Sequence, residues 1–233
     1  MQYRDFGKTG LKVSEIGMGC GWPTYRPELD MTAFVRQAYE LGINFYDTAD
    51  MYWNGQSEEI LGNAFHNMRD KVIIATKYGT VMHGDNFSKD FSKAHMLEAL
   101  EGSLKRLRTD YIDIYQLHSP EPAVLDDDDL LAELRCLREA GTVRFFGLSL
   151  DGADFIMQAV DKWDLDSLQV TFNLFNLDIT RAFDKVRKAG VGLIAKSPLD
   201  SGMLSGELMP DDEQKINDPR ERWVTAGTAG NVA

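Results

Sequence analysis

Cysteine is nearly missing from this chain: Cys20 and Cys136 are the only two in 233 residues, and they share no metal-type spacing. That excludes a disulfide framework, fits a reducing compartment, and leaves both as small hydrophobes. Positive charge is also scarce. Lys and Arg total 25 against 37 Asp and Glu, a formal charge of -12, which disfavours nucleic acid and anionic lipid as partners. No apolar run approaches the ~20 residues that span a bilayer. The opening Met1-Gln2-Tyr3-Arg4-Asp5 lacks the basic-then-apolar plan of a signal peptide. The expectation is a cytoplasmic protein with neither nucleic-acid nor membrane partners. Histidine numbers four and never occurs as His-x-His at a strand end, so a metal-dependent hydrolase barrel lacks its ligands.

What is present is an ordinary globular composition, 43% hydrophobic and 27% charged, long enough for one domain over residues 1–233. Arg4 to Val13 alternates around a glycine-bounded turn and predicts a short hairpin. Strand-sized apolar runs follow at Ile16–Gly21, Asn44–Thr48, Val72–Lys77, Ile112–Leu117, Val143–Ser149, Leu168–Phe172 and Gly192–Ala195. Between them lie helical stripes: Ile60, Leu61, Ala64, Phe65, Met68; Met96, Leu97, Leu100, Leu104, Leu107; Leu130, Leu131, Leu134, Leu137. Further helices fall around Phe34 to Leu41, Phe155 to Trp163 and Ala182 to Ala189, with Gly42, Gly141 and Gly190 as left-handed caps. Repeated βα units imply a parallel sheet, and seven of them fit an α/β barrel better than a doubly wound sheet. Gly17-x-Gly19-x-Gly21 follows a strand with no helix directly behind it, so it reads as close backbone approach to a ligand rather than a phosphate loop. In the run Asp126 to Asp129, the last members favour the N-terminus of the next helix. Ser57 before Glu58 and Glu59 reads as an N-cap with dipole-favoured charges, since adjacent helical carboxylates do not face each other.

Four residues stand where predicted strands have just ended: Asp47, Tyr52, Lys77 and His118. Taken singly they read as a loop cap, a packing ring, a surface charge and a satisfied polar residue. Together, at successive strand ends, they belong on the rim where barrel active sites lie. His66, His83 and His95 have no such context and read as helix-surface or loop residues. The flanks carry longer motifs. They include Gly7-Lys8-Thr9-Gly10-Leu11-Lys12-Val13-Ser14, Phe45-Tyr46-Asp47-Thr48-Ala49-Asp50-Met51-Tyr52 and Gly55-Gln56-Ser57-Glu58-Glu59-Ile60-Leu61-Gly62. Thr76-Lys77, Gln116-Leu117-His118 and Ser197-Pro198-Leu199-Asp200-Ser201-Gly202 continue the pattern. On these motifs, from residue 3 to about residue 206, the sequence resembles the aldo-keto reductases. The resemblance implies a (β/α)8 TIM barrel with an N-terminal β-hairpin and NAD(P)H-dependent interconversion of carbonyls and alcohols.

Reducing a carbonyl needs a hydride at carbon and a proton at oxygen, and a tyrosine with its usual pKa near 10 is a poor acid at neutral pH. A neighbouring lysine ammonium stabilises the tyrosinate, and a carboxylate fixes that lysine. This gives Tyr52, Lys77 and Asp47 their parts, while His118 donates a hydrogen bond to the carbonyl oxygen. The resemblance implies the same four roles. It further implies Gly19 beside the cofactor, Asp47 on the nicotinamide ribose, and Ser149 and Gln169 on the carboxamide. Ser197, Pro198, Leu199, Ser201, Gly202 and Leu204 would wrap the pyrophosphate. Trp22 and Trp53 fall on the rim as candidate walls of a substrate pocket, with simple packing as the alternative.

Two departures from the family stand out. Ser149-Leu150 replaces a common Ser-Asn, and Lys196 occupies the place of an aromatic that stacks on the nicotinamide. No eighth βα unit is readable: Thr225 to Ala233 consists of small residues with little capacity for a core strand. The alternatives are an open barrel, one completed by a partner such as a homo-oligomer, or an incomplete chain. The expected cofactor is NADP(H) rather than NAD(H), and the expected partner a small carbonyl compound or alcohol. The competing function is a ligand-binding or regulatory barrel without turnover.

Overall fold

The computed structural model describes residues 1–21, 29–84 and 86–206. Strands β1 (Tyr3–Asp5) and β2 (Lys12–Ser14) pair antiparallel, with Tyr3 opposite Ser14, as the expected hairpin. Gly7 in its turn has φ +55°, and a Cβ there would lie 2.4 Å from the carbonyl oxygen of Gly190. Only glycine lets the hairpin press this closely on the chain entering the last strand, where Lys8 N–H donates to Gly190 O at 2.7 Å.

The main sheet contains β3 (Met18–Gly19), β4 (Phe45–Asp47), β5 (Ile73–Tyr78), β8 (Ile112–His118), β9 (Val143–Ser149), β10 (Ser167–Thr171) and β11 (Gly192–Lys196). Its order is β11-β10-β9-β8-β5-β4-β3, with every pairing parallel. The seven predicted strand runs are all there, within a few residues of their expected limits. Between them, β6 (Thr80–His83) and β7 (Asn86–Lys89) form a separate antiparallel hairpin that the sequence reading does not anticipate. The alternating signal there is too short and too exposed to stand out from a loop, and His83 lies on its edge.

Parallel strands covered on both faces read as apolar runs rather than as alternation. β5 is buried along its whole length, and β8 up to Leu117. One face packs on the helices. α1 (Met31–Glu40), α2 (Gln56–Phe65), α3 (Lys93–Leu107), α4 (Asp128–Glu139), α5 (Ala153–Lys162) and α6 (Phe183–Lys188) match the predicted stripes. Leu61 and Phe65, Met96 and Leu100, and Leu130 and Leu134 turn into the large core. The other face curls around a smaller core of Phe45, Ile73, Ala75 and Ile114, floored by Phe6, Leu11 and Val13 of the hairpin. The hairpin thus stoppers the N-terminal end of the curl and leaves the strand C-termini as the usable rim.

Gly42, Gly141 and Gly190 adopt positive φ as expected. Asp127 caps α4 by accepting from Leu130 N–H at 2.8 Å, with Asp128 and Asp129 in the first turn. The Ser57 expectation needs correction. Gly55 is the N-cap of α2, and the buried Ser57 hydroxyl instead donates to Cys20 O at 2.8 Å, with Thr48 Oγ1 at 2.7 Å. Glu58 is buried as well, accepting from Thr76 Oγ1 at 2.5 Å and Arg106 Nε at 2.7 Å. Cys20 is buried but Cys136 is exposed on α4, so only Cys20 is a core hydrophobe.

β3 and β11 pair with one neighbour each and not with one another, so the sheet is a curled half-barrel, a partial (β/α)8 fold without an eighth strand among the described residues. Trp22 and the segment Thr225 to Ala233 lie outside the described residues. No helix of the described residues is long and apolar enough to cross a membrane.

Candidate active site

Register places the predicted residues on one rim. Asp47 ends β4, Lys77 is the penultimate residue of β5, and His118 and Ser149 end β8 and β9 opposite one another. Gln169 of β10 is level with Ser149, and Lys196 ends β11. The chain after β4 is tied to β5 by Thr48 N–H to Ala75 O at 2.8 Å and Asp50 N–H to Lys77 O at 3.1 Å. Those bonds deliver Tyr52, in the next turn, above Lys77. The glycine motif around β3 serves this packing in two of its three positions. A Cβ on Gly17 would lie 2.6 Å from the Phe45 ring, and one on Gly21 2.8 Å from the Tyr52 ring. Only Gly19 has open space beside it.

A hydrogen-bonded chain joins the rim residues. Lys77 Nζ, fully buried, donates to Asp47 Oδ2 at 2.8 Å and to Thr48 O at 2.7 Å. The other carboxylate oxygen accepts from Gln169 Nε2 at 2.7 Å, and Gln169 Oε1 accepts from Ser149 Oγ at 2.9 Å. The Lys77 ammonium lies 5.2 Å from the centre of the Tyr52 ring, and His118 meets that ring edge-on at 5.9 Å between centroids. All four predicted catalytic residues are therefore neighbours. The link from Gln169 to Asp47, 122 positions apart, is a tertiary contact with no signature in either local sequence.

Burial and charge set the protonation states. Burial by itself lowers the Lys77 pKa, but the Asp47 carboxylate and the Tyr52 phenol outweigh it and hold the pKa above the ordinary lysine value. Burial also dominates at Tyr52. The Lys77 charge and hydrogen bond pull its pKa down, as expected, yet desolvation outweighs them and the phenol stays above its usual value. Tyr52 consequently keeps its proton throughout the neutral range. His118 is pushed down to about 3, first by burial and then by Lys77, Lys89 and Lys196, so its imidazole is neutral. Its Nδ1 is buried with no hydrogen-bond partner among the described residues.

Asp50, absent from the sequence-based site, is half-buried, with Oδ1 buried and unpartnered among the described residues, its pKa pushed up to about 7 by desolvation and then by Glu58. Its folded pKa is above its unfolded value, so its stabilising contribution is complete below pH ~4 and is lost as pH rises through about 7. His118 has the opposite sign: its folded pKa is below the unfolded value, so its contribution is present above pH ~6.5 and lost as pH falls towards 3. The two largely cancel between. Asp50→Asn is expected to gain on the wild type as pH rises from ~4 to ~7, by about 1.4 kcal/mol per pH unit at most, and to show a constant difference above that range. Urea unfolding across pH checks this, and a pH-independent difference would refute the protonated carboxyl.

A cavity of about 700 Å³ runs from the hairpin, at Phe6 and Val13, past Phe45 and Ile194 up to Gly19, Asp47, Gln169, Lys196, Ser197 and Pro198 at the rim. The open space at Gly19, the amide and carboxylate on one wall and the apolar floor fit the nicotinamide end of a dinucleotide. Leu199, Gly202 and Leu204 form the turn beyond, where Gly202 and Leu204 N–H both donate to Leu199 O, at 2.9 and 3.0 Å. Ser201 lies in the same turn. Trp53 is half-buried on the rim with φ +51°.

Over residues 15–230 the sequence matches the Aldo/keto reductase family, and the chain belongs to it. Members of that family are oxidoreductases acting on carbonyls with nicotinamide cofactors. Among curated proteins the chain is 34% identical to an uncharacterized oxidoreductase, YqkF, of Bacillus subtilis (strain 168), over 88% of this chain and 67% of that protein. It is 33% identical to a probable voltage-gated potassium channel subunit beta of Oryza sativa subsp. japonica, over 89% of this chain and 66% of that protein. Among solved structures it is similar to the holo form of an aldo-keto reductase, AKR11C1, from Bacillus halodurans. That match has TM-score 0.81 and 31% identity, and covers 91% of this chain and 72% of that one. The chain thus spans about two thirds of the length of these curated relatives.

Proposed function

We propose that the protein reduces a small aldehyde, ketone or sugar to the alcohol, and runs the reverse reaction, with NADP(H) in preference to NAD(H), Tyr52 being the proton donor. The observation that carries this reading is the Lys77 ammonium, fully buried, clamped by Asp47 and set against the Tyr52 ring with His118 edge-on to it. When bound, a dihydronicotinamide would supply the hydride. Neutral His118 has an N–H to offer the carbonyl oxygen, which orients it and polarises the bond. Tyr52 gives its proton to that oxygen as negative charge develops there, and the Lys77 ammonium faces the tyrosinate left behind. Asp47, pinned by Gln169, keeps Lys77 charged and in place. Gly19, Ser149, Gln169 and Lys196 would hold the nicotinamide end, with Ser197 to Leu204 towards the phosphates. The preference for NADP(H) rests on the family's commoner choice.

Nicotinamide absorbance followed during incubation with a panel of aldehydes and ketones tests this. NADPH oxidation dependent on a carbonyl compound is expected, and its absence across the panel with both NADPH and NADH would reject the reductase. That outcome would favour the second reading, a ligand-binding or regulatory barrel, which the likeness to a protein described as a potassium channel subunit supports.

A further inference from the structure

Three ammonium groups act on His118: those of Lys77, Lys89 and Lys196. Two have a carboxylate. Lys77 is held by Asp47 at 2.8 Å, and Lys196 faces Asp151 at 3.2 Å. Lys89 has none within 4 Å among the described residues. Its Nζ donates to two neutral oxygens, Thr80 Oγ1 and the main-chain carbonyl of His118, both at 2.7 Å. An ammonium carries three donors, so one is left over on this exposed side chain, which is anchored at the main chain of His118. Burial pulls the Lys89 pKa down; the Asp50 and Glu121 carboxylates, both farther than 4 Å, oppose this, and the Lys196 charge adds to it.

The topology says which molecule meets this charge. Lys89 ends the β6–β7 hairpin that leaves β5 and is fastened to the tip of β8. Most groups proposed for the cofactor stand on β9, β10 and β11, on the opposite side of β8 from this hairpin, with Asp47 on β4 and Gly19 on β3 towards the other edge of the sheet. We propose that Lys89 reads an anionic group, a carboxylate or a phosphate, carried by the carbonyl substrate whose oxygen lies at Tyr52 and His118. The inference rests on the reductase reading of this site and names the substrate class it favours.

Matched substrates test it: succinic semialdehyde against its neutral amide, and glyceraldehyde phosphate against glyceraldehyde. The wild type is expected to favour at least one anionic member by roughly tenfold or more in kcat/KM, mainly through KM. The pair that shows the preference distinguishes carboxylate from phosphate. Added salt should shrink the preference. Lys89→Met should bring the ratio near one, and Lys89→Arg should keep most of it. A ratio near one in the wild type, or Lys89→Met lowering both members of a pair equally, would overturn the proposal while leaving the reductase standing. Calorimetric titration with succinate and with inorganic phosphate probes the same contact without turnover. Wild-type binding of either anion that Lys89→Met weakens supports the inference, and affinities that are unchanged or unmeasurable in both proteins count against it. Failure of every aldehyde to turn over rejects the reductase reading separately.

Discussion

Tyr52→Phe is expected to lower kcat for carbonyl reduction by about 10²–10⁴-fold while leaving cofactor affinity nearly unchanged. The substitution deletes one hydroxyl and keeps the ring against which Gly21 and His118 pack. Phenol burial raises the pKa of Tyr52, so the hydroxyl holds a proton at every neutral pH, and in the proposed mechanism it would give that proton up only as charge builds on the substrate oxygen. Neutral His118 remains able to orient the carbonyl, and residual turnover in the variant would measure what orientation achieves without a proton donor. Single-turnover kinetics separate the chemical step from binding. A variant with wild-type kcat would remove Tyr52 from the mechanism, and one with normal kcat but raised KM would make the phenol a binding group only.

Lys77→Met should be costlier still, because it affects both reaction and fold. The methionine keeps the volume of the side chain but strands the Asp47 carboxylate, only 16% exposed, with Gln169 as its remaining side-chain partner. Removing one member of a buried ion pair typically costs 3–5 kcal/mol, roughly the expected loss in unfolding free energy. The reaction should slow as much as in Tyr52→Phe or more, since the lost ammonium also held the phenol pKa down, and Tyr52 becomes a weaker acid. Lys77→Arg is not a rescue: the guanidinium fork does not fit the single compact site between Asp47 Oδ2 and Thr48 O. Urea denaturation and steady-state rates read the two effects independently. A loss below about 0.5 kcal/mol would mean that the Asp47 carboxylate finds water or another partner, contrary to the geometry.

The strands were legible because parallel strands buried on both faces must be continuous apolar runs, and the helices because a single stripe at helical spacing meets the sheet. The β6–β7 hairpin was not legible. Its residues are mostly exposed, so no core demand shapes their order, and Lys89 within it looks like any surface lysine. Ser57 shows another limit. Serine before two glutamates has the local pattern of a cap, but the fold places that hydroxyl between Cys20 O and Thr48, and tertiary packing overrides local preference. Gly17, Gly19 and Gly21 around β3 resembled a ligand approach, yet two of them make room for the protein's own rings.

The order of apolar and polar residues determined the βα repeat, the parallel sheet and the strand ends at which Asp47, Lys77 and His118 stand, because burial on two faces leaves one hydropathy pattern for each element. Tertiary structure alone decided the charge states. Whether Asp50 holds a proton, His118 stays neutral or Lys89 has a carboxylate within 4 Å depends on which atoms are withdrawn from water and which charges lie within a few ångströms, and those neighbours come from strands far apart in the chain.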